Sequence, residues 1–168
     1  MTETVPVPVY VGLGCNLGER RATLSSAITA LQSHPSFHEF VCSSLYESDP
    51  MGPQDQPDYL NAVAGFRTSM DAHELLNVLQ SIEHEHGRVR DGSRWGARTL
   101  DLDLLLYGDV VIDTPTLSVP HPGIPVRSFV LLPLAELTPD LHVPEFGPVS
   151  ELLSECRQFG IRRLDSKL

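Results

Sequence analysis

Lysine is almost missing from this chain: of its twelve basic residues only Lys167 is lysine, and the rest are arginine. Basic residues of either kind are outnumbered by 22 acidic ones, leaving a formal net charge of −10. That balance argues against a broad nucleic-acid-binding surface, which needs positive charge facing the phosphates. It leaves room for a small local anion site. The three cysteines, Cys15, Cys42 and Cys156, are odd in number and widely spaced. They form neither a disulfide framework nor a zinc motif, and free thiols in a reducing compartment are expected. No apolar run approaches the length of a membrane span, roughly eighteen residues. The opening MTETVPVPVYVG lacks the basic and long apolar regions of a secretory signal. A cytoplasmic protein is therefore expected. The final Ser166-Lys167-Leu168 matches a peroxisomal address, a match short enough to arise by chance. Gly12-x-Gly14 lacks both the third glycine of a dinucleotide fingerprint and the lysine of a P-loop.

What is present is an ordinary globular composition, 168 residues with 41% hydrophobic and 20% charged, which suggests one domain over 1–168. Val5 to Gly12 reads as a strand, followed by a tight glycine loop around Cys15 and Asn16. A helix over 19–33 shows Leu24, Ala27, Ile28 and Leu31 at helical spacing. Phe37 to Glu47 reads as a second strand, 48–58 as a proline-rich loop, and Leu60 to Thr68 as a third strand. Asp71 and Glu74 open a second helix with Leu75, Leu76, Leu79 and Ile82 on its buried stripe. An arginine-rich loop then runs into a strand from Thr99 to Tyr107. The order β-α-β-β-α-β predicts an α+β fold of ferredoxin-like type, with helices packed on an antiparallel sheet. Extra C-terminal elements follow: a proline-rich segment, a short helix near 126–137 and a tail helix near 149–158.

The last strand carries Asp101 and Asp103, which share one face because they alternate. Their α-carbons would lie about 6–7 Å apart. At an effective dielectric near 20 their charges would repel by roughly 2–3 kcal/mol. Two such carboxylates suit divalent cations on a polyphosphate. On the pair alone, a solvent-facing strand edge is the plainer reading. Four arginines, Arg88, Arg90, Arg94 and Arg98, stand just upstream and shift the balance. Carboxylates would take the metals and guanidiniums the phosphate oxygens. Trp95, the single tryptophan, would stack on a base or close the loop. Tyr59 and Asn61 suit a flat heterocycle, one by stacking and the other by pairing with its edge. Phe129 offers a second stacking face or plain core packing. His84 and His86, two apart on a helix, point away from each other and read as solvated. His121, in a loop, is the better candidate for a phosphate contact.

Three blocks resemble the 6-hydroxymethyl-7,8-dihydropterin pyrophosphokinase family of folate biosynthesis. They are GLGCNLG from Gly12, PMGPQDQPDYLNA from Pro50, and GRVR through RWGARTLDLDLL, ending at Leu105. The resemblance runs from about Val9 to Leu137 and leaves the C-terminal 30 residues without a motif. It implies transfer of a diphosphoryl group from ATP to the dihydropterin alcohol, with AMP leaving. It implies Asp101 and Asp103 as holders of two Mg2+ ions, and Arg88 and Arg98 as catalytic phosphate clasps. Around ATP it implies Leu76, Gln80, Glu83, Arg90, Trp95, Arg98, Leu104, Ser118, His121 and Arg127. Around the pterin it implies Gly14, Ser48, Met51, Tyr59, Asn61, Trp95 and Phe129. A monomer is expected, with no nucleic-acid or membrane partner. Cys15, Asp91, Thr116 and Pro122 depart from residues frequent in relatives. The rival classes are a non-catalytic ferredoxin-like binding module and a magnesium-dependent nucleotidyltransferase with the same carboxylate pair.

Overall fold

A computed structural model of the chain describes residues 5–16, 19–49, 58–86, 100–156 and 160–164. In chain order its elements are β1 (Val7–Cys15), α1 (Arg20–Ser33), β2 (His38–Cys42), β3 (Tyr46–Ser48), β4 (Tyr59–Thr68), α2 (Ala72–Glu85) and β5 (Asp101–Tyr107). Then come β6 (Ile112–Asp113), β7 (Ser118–Val119), a single 3₁₀ turn (Ile124–Val126), α3 (Ser128–Leu137), β8 (His142–Val143), β9 (Gly147–Pro148), α4 (Val149–Glu155) and β10 (Ile161–Arg163). Six strands form one sheet in the order β10-β3-β4-β1-β5, with β2 also pairing β4, and every pairing is antiparallel. With β2 and β3 taken together, this is the expected βαββαβ core, and β1 lies at its centre.

Strand alternation assigns the two faces of the sheet. One face presents Val9, Val11, Leu13 and Cys15 of β1 to Leu24, Ala27 and Leu31 of α1 and to Leu75, Leu79 and Ile82 of α2. The other presents Val63, Leu105 and Leu106 to Val130, Leu131 and Leu134 of α3 and to Val149 of α4. The sheet is therefore sandwiched between two helical layers. The expected start of α2 is observed: the Asp71 carboxylate accepts the His73 N–H at 3.1 Å.

Three boundaries differ from the sequence expectation. Gly12 and Gly14 lie inside β1 rather than in a tight loop, because β1 is held on both sides, by β4 and β5. The expected strand 37–47 is two strands, because Ser43 interrupts it. Its N–H donates to the Val63 carbonyl at 2.9 Å, and its hydroxyl accepts the Val63 N–H at 2.9 Å. A side-chain oxygen thus stands in for a ladder carbonyl, and the strand bends there. Finally, the C-terminal tail returns to the sheet as β10, a strand that no local pattern announced.

Candidate active site

The register sets the site on the α3 side of the sheet. Gly14 pairs with Asp101 of β5 on one side and Asn61 of β4 on the other. One step along, Gly12 pairs with Asp103 and Val63. With strands about 4.8 Å apart, Asp101 and Asn61 stand roughly 10 Å apart across a glycine floor. A Cβ on Gly14 would sit 3.5 Å from Asn61 Oδ1 and 3.8 Å from Tyr59 Cδ1. There is room for a methyl group, but it would occupy the space between those groups. Gly14 therefore keeps backbone exposed between a carboxylate and an amide.

A β-bulge aims the aspartates. Tyr10 pairs with Leu106 and Val11 with Leu104, so Leu105 is the extra residue. Before the bulge, Leu102 and Leu104 face the α1/α2 core while Asp101 and Asp103 face the other side. At the bulge Leu105 and Leu106 both join the α3 core. The three consecutive leucines, at 104, 105 and 106, carry this change of phase. The Leu105 carbonyl accepts the His121 backbone N–H at 2.9 Å, fixing His121 beside β5.

His121 is held as a neutral ring. Its Nδ1 accepts the Gly123 N–H at 2.9 Å, so the neutral ring carries its proton on Nε2 and can donate it. Burial, then the positive Arg127, push its pKa down to about 4, against an opposing pull from Asp101. Arg127 reaches Asp103, with Nη1 at 3.7 Å from Oδ2, and its guanidinium lies 5.7 Å from the centre of the Phe129 ring. A Cβ on Gly123 would come within 2.6 Å of Arg127 Nε, so the glycine clears the path for that side chain. On the far side of β5, the buried Glu83 of α2 accepts the Leu102 N–H at 2.8 Å, between the two aspartates. It thereby occupies a donor on an outer strand of the sheet.

At the other end of the floor, the amide nitrogen of Asn61 donates to the Ser48 hydroxyl at 2.7 Å and to the Tyr46 carbonyl at 3.3 Å. A carbonyl can only accept, which fixes the flip of the amide. Oδ1 is the atom nearest a Cβ placed on Gly14. Behind this lies a network that sequence reading missed. Glu136 of α3 accepts from the Ser44 N–H at 2.9 Å, the Ser44 hydroxyl at 3.1 Å and the Tyr46 hydroxyl at 2.8 Å. Burial pushes the Glu136 carboxyl up, but these hydrogen bonds outweigh it and hold the group below its ordinary range. Burial, then Glu136, push the Tyr46 phenol up to about 12. The same helix carries Phe129, so this network sets where that ring lies over the sheet.

The structure thus brings Asp101, Asp103, His121 and Arg127 to one end of the floor and Ser48, Tyr59 and Asn61 to the other, with Gly14 between them. Phe129 is half-buried at the start of α3. Leu104 is buried in the α1/α2 core, and Leu76 of α2 packs against that core. Gln80 and Ser118 are exposed. His84 is exposed as expected, whereas His86 is half-buried, with its ring nitrogens 2.8 Å from the Ile82 carbonyl and 2.9 Å from the Ser26 hydroxyl. Arg88, Arg90, Trp95, Arg98 and Met51 lie outside the described residues. Among the described residues no group of three or more His, Cys, Asp and Glu side chains is placed to hold a metal. A cation at Asp101 and Asp103 would complete its shell with phosphate oxygens and water, as Mg2+ usually does.

The model of the family described as 7,8-dihydro-6-hydroxymethylpterin-pyrophosphokinase (HPPK) matches residues 10–139. The chain belongs to the HPPK family. It is 49% identical over 156 residues to the 2-amino-4-hydroxy-6-hydroxymethyldihydropteridine pyrophosphokinase of Pseudomonas aeruginosa, covering 93% of this chain and 96% of that one. It is 44% identical over 149 residues to the protein of the same name from Haemophilus influenzae, covering 89% and 92%. Among solved structures it is similar to a Plasmodium falciparum HPPK-DHPS, with a TM-score of 0.69 at 15% identity, a likeness of fold. That match covers 91% of this chain and 46% of the solved one, so the chain spans about half of the HPPK-DHPS protein. The HPPK core extends over β1 to α3, and β10 lies beyond the matched stretch.

Proposed function

We infer that this chain transfers the diphosphoryl group of ATP to the hydroxymethyl oxygen of 6-hydroxymethyl-7,8-dihydropterin, giving the pterin diphosphate and AMP in folate biosynthesis. The observation that carries this reading is the row Asp101, Gly14, Asn61 across three strands, which sets a carboxylate end and an amide end on one glycine floor. Asn61 Oδ1 would accept from the N–H edge of the pterin, and Tyr59 and Phe129 would sandwich its ring. A side chain at Gly14 would intrude on that slot.

The donor set at the other end fits Mg2+: two hard carboxylate oxygens on one strand face, with an arginine and a neutral histidine beside them. Asp101 and Asp103 would hold it, and we propose two ions. When bound, the metal polarises phosphate oxygens and neutralises their charge. Arg127 and the Nε2–H of His121 would orient phosphate oxygens at the same end. Arg88 and Arg98 are proposed to clasp them. Leu76, Gln80, Glu83, Arg90, Trp95, Leu104 and Ser118 are proposed for the nucleotide side, and Met51 for the pterin side. The pterin oxygen attacks the β-phosphorus, the bond to the α,β-bridging oxygen breaks, AMP departs and the hydroxyl proton is released. Positioning of the two substrates carries most of the work.

We further propose that residues 1–168 act as one monomeric domain in the cytoplasm without a nucleic-acid partner. Among the described residues, no helix is long and apolar enough to cross a membrane. The test is product analysis with ATP and Mg2+, with and without dihydropterin. AMP and pterin diphosphate should appear only when both substrates are present. Release of pyrophosphate would indicate a nucleotidyltransferase instead, and AMP release independent of dihydropterin would remove the substrate assignment.

A further inference from the structure

The C-terminal strand is built into the pterin end of the site from outside it. β3 is three residues long and pairs Ser48 with Tyr59 and Tyr46 with Asn61 on its inner side. On its outer side β10 pairs Ile161 with Ser48 and Arg162 with Glu47. Two further bonds extend that contact: the Asp49 N–H to the Gly160 carbonyl at 3.0 Å, and the Leu164 N–H to the Leu45 carbonyl at 2.8 Å. So short a strand has few ladder bonds of its own, and its placement depends on both neighbours.

Side chains reinforce the contact at both ends of the segment that separates β3 from β4. Arg162 pairs with Glu47 and also reaches Asp58 Oδ2 at 3.3 Å. Arg20, at the start of α1, reaches Glu47 Oε2 at 2.9 Å and donates to the Asp58 carbonyl at 2.8 Å. Two arginines thus bridge the residue before Ser48 to the residue before Tyr59. Gly160, the residue before β10, has a backbone conformation that favours glycine. Its φ is +54°, and a Cβ there would fall 1.9 Å from Asp49 Oδ2. A single exposed ion pair contributes little, but a network sharing Glu47 and Asp58 restrains geometry cooperatively.

We propose that β10, through Gly160 and Arg162, is a positioning element for pterin recognition. It holds β3 so that the Ser48 hydroxyl and Tyr46 carbonyl fix the Asn61 amide. The proposal rests on the pterin reading of the site given above. Arg162 and Gly160 touch neither substrate, so they are positioning residues.

The test compares Arg162→Lys, Arg162→Gln and Gly160→Val with the wild type, measuring KM for dihydropterin, KM for ATP and kcat, with thermal unfolding as a check on folding. The KM for dihydropterin should rise about fivefold in Arg162→Gln and about tenfold in Gly160→Val, and stay within about twofold in Arg162→Lys. The KM for ATP and kcat should stay within about twofold throughout, because the carboxylate end is anchored separately. If Gly160→Val does not fold, the two Arg162 variants decide. An unchanged KM for dihydropterin in Arg162→Gln, or a parallel rise in KM for ATP, overturns the proposal. The wild type run in parallel separates the two claims. Turnover by it with unchanged variants overturns the positioning role alone, whereas no turnover of dihydropterin by it overturns the functional reading and this inference with it.

Discussion

The two faces of the central sheet are made from the same strands and serve opposite ends. On the α1/α2 face, β1 presents Val9, Val11, Leu13 and Cys15, each at most 3% exposed, and the neighbouring strands add Leu60, Ala62, Leu102 and Leu104. On the α3 face the intervening positions read Tyr10, Gly12 and Gly14, flanked by Asp101, Asp103 and Asn61. α3 and α4 cover the part of that face made by Val63, Leu105 and Leu106, Asn61 is buried, and Gly12, Gly14, Asp101 and Asp103 are partly exposed. The first face stabilises by burying apolar surface, at about 25 cal/mol per Å². The second gives up packing, placing glycine where valine would pack and two like charges where leucine would. The comparison shows how strand alternation lets one run of sequence, DLDL, contribute to a core and to the proposed site at once.

Substitutions at adjacent positions can break this comparison. The largest effect is expected at Asp103. Asp103→Asn should lower turnover by about three orders of magnitude, given the several kcal/mol a bound metal supplies. Its melting temperature should stay near the wild type's, measured on the same sample. Leu102→Ala, one residue before it and buried in the α1/α2 core, should do the reverse. It should cost about 2–5 kcal/mol of stability in urea unfolding while leaving turnover per folded molecule nearly intact. Next is Gly14→Val, where the added side chain would enter the space beside Asn61 and Tyr59. A fall of about ten- to a hundredfold in kcat/KM for dihydropterin is expected, equivalent to ~1.4–2.8 kcal/mol. Substrate-saturation kinetics checks it, and a parallel fall for ATP would mean that the floor serves both ends.

Smaller effects belong to the network under α3. Glu136→Gln keeps an acceptor either for the two Ser44 donors, which share Oε2, or for the Tyr46 hydroxyl, but not for both sets, and should cost about 1–3 kcal/mol in urea unfolding. Tyr46 gives a pH signature. Its phenol is pushed up to about 12, so the folded state favours the neutral form. That contribution is complete below the ordinary phenol value near 10 and is lost as pH rises from there toward 12. Thermal unfolding between pH 9 and 12 should therefore show a steeper alkaline decline in the wild type than in Tyr46→Phe.

Much of the frame was legible locally. The stripe Leu75, Leu79, Ile82 and the Asp71 cap marked α2, and the alternation of Asp101 and Asp103 with Leu102 and Leu104 marked the polar face of β5. The misreadings have a common physical cause: they concern partners distant in sequence. Gly12 and Gly14 resemble turn residues by composition, and only pairing with β4 and β5 makes them strand. Ser43 looks like any strand serine until its hydroxyl is seen to accept the Val63 N–H. The bulge at Leu105 is hidden because three leucines suit either face. β10 pairs with a strand more than a hundred residues earlier, and nothing in its own sequence reports that. Glu136 reads as one acidic residue on a helix, yet it joins α3 to the break between β2 and β3. Arg88, Arg90, Trp95, Arg98 and Met51 lie outside the described residues, and their roles rest on the family pattern.

Both substrates are proposed to meet on the α3 face, a meeting place set by the glycine floor. This is tested most directly by a crystal structure of the protein with Mg2+, a non-hydrolysable ATP analogue and 6-hydroxymethylpterin. The pterin ring is expected between Tyr59 and Phe129 with its amide edge on Asn61, and the triphosphate at Asp101 and Asp103 with the β-phosphorus facing the pterin oxygen. A pterin bound elsewhere, or a triphosphate that leaves both aspartates uncoordinated, would contradict this placement.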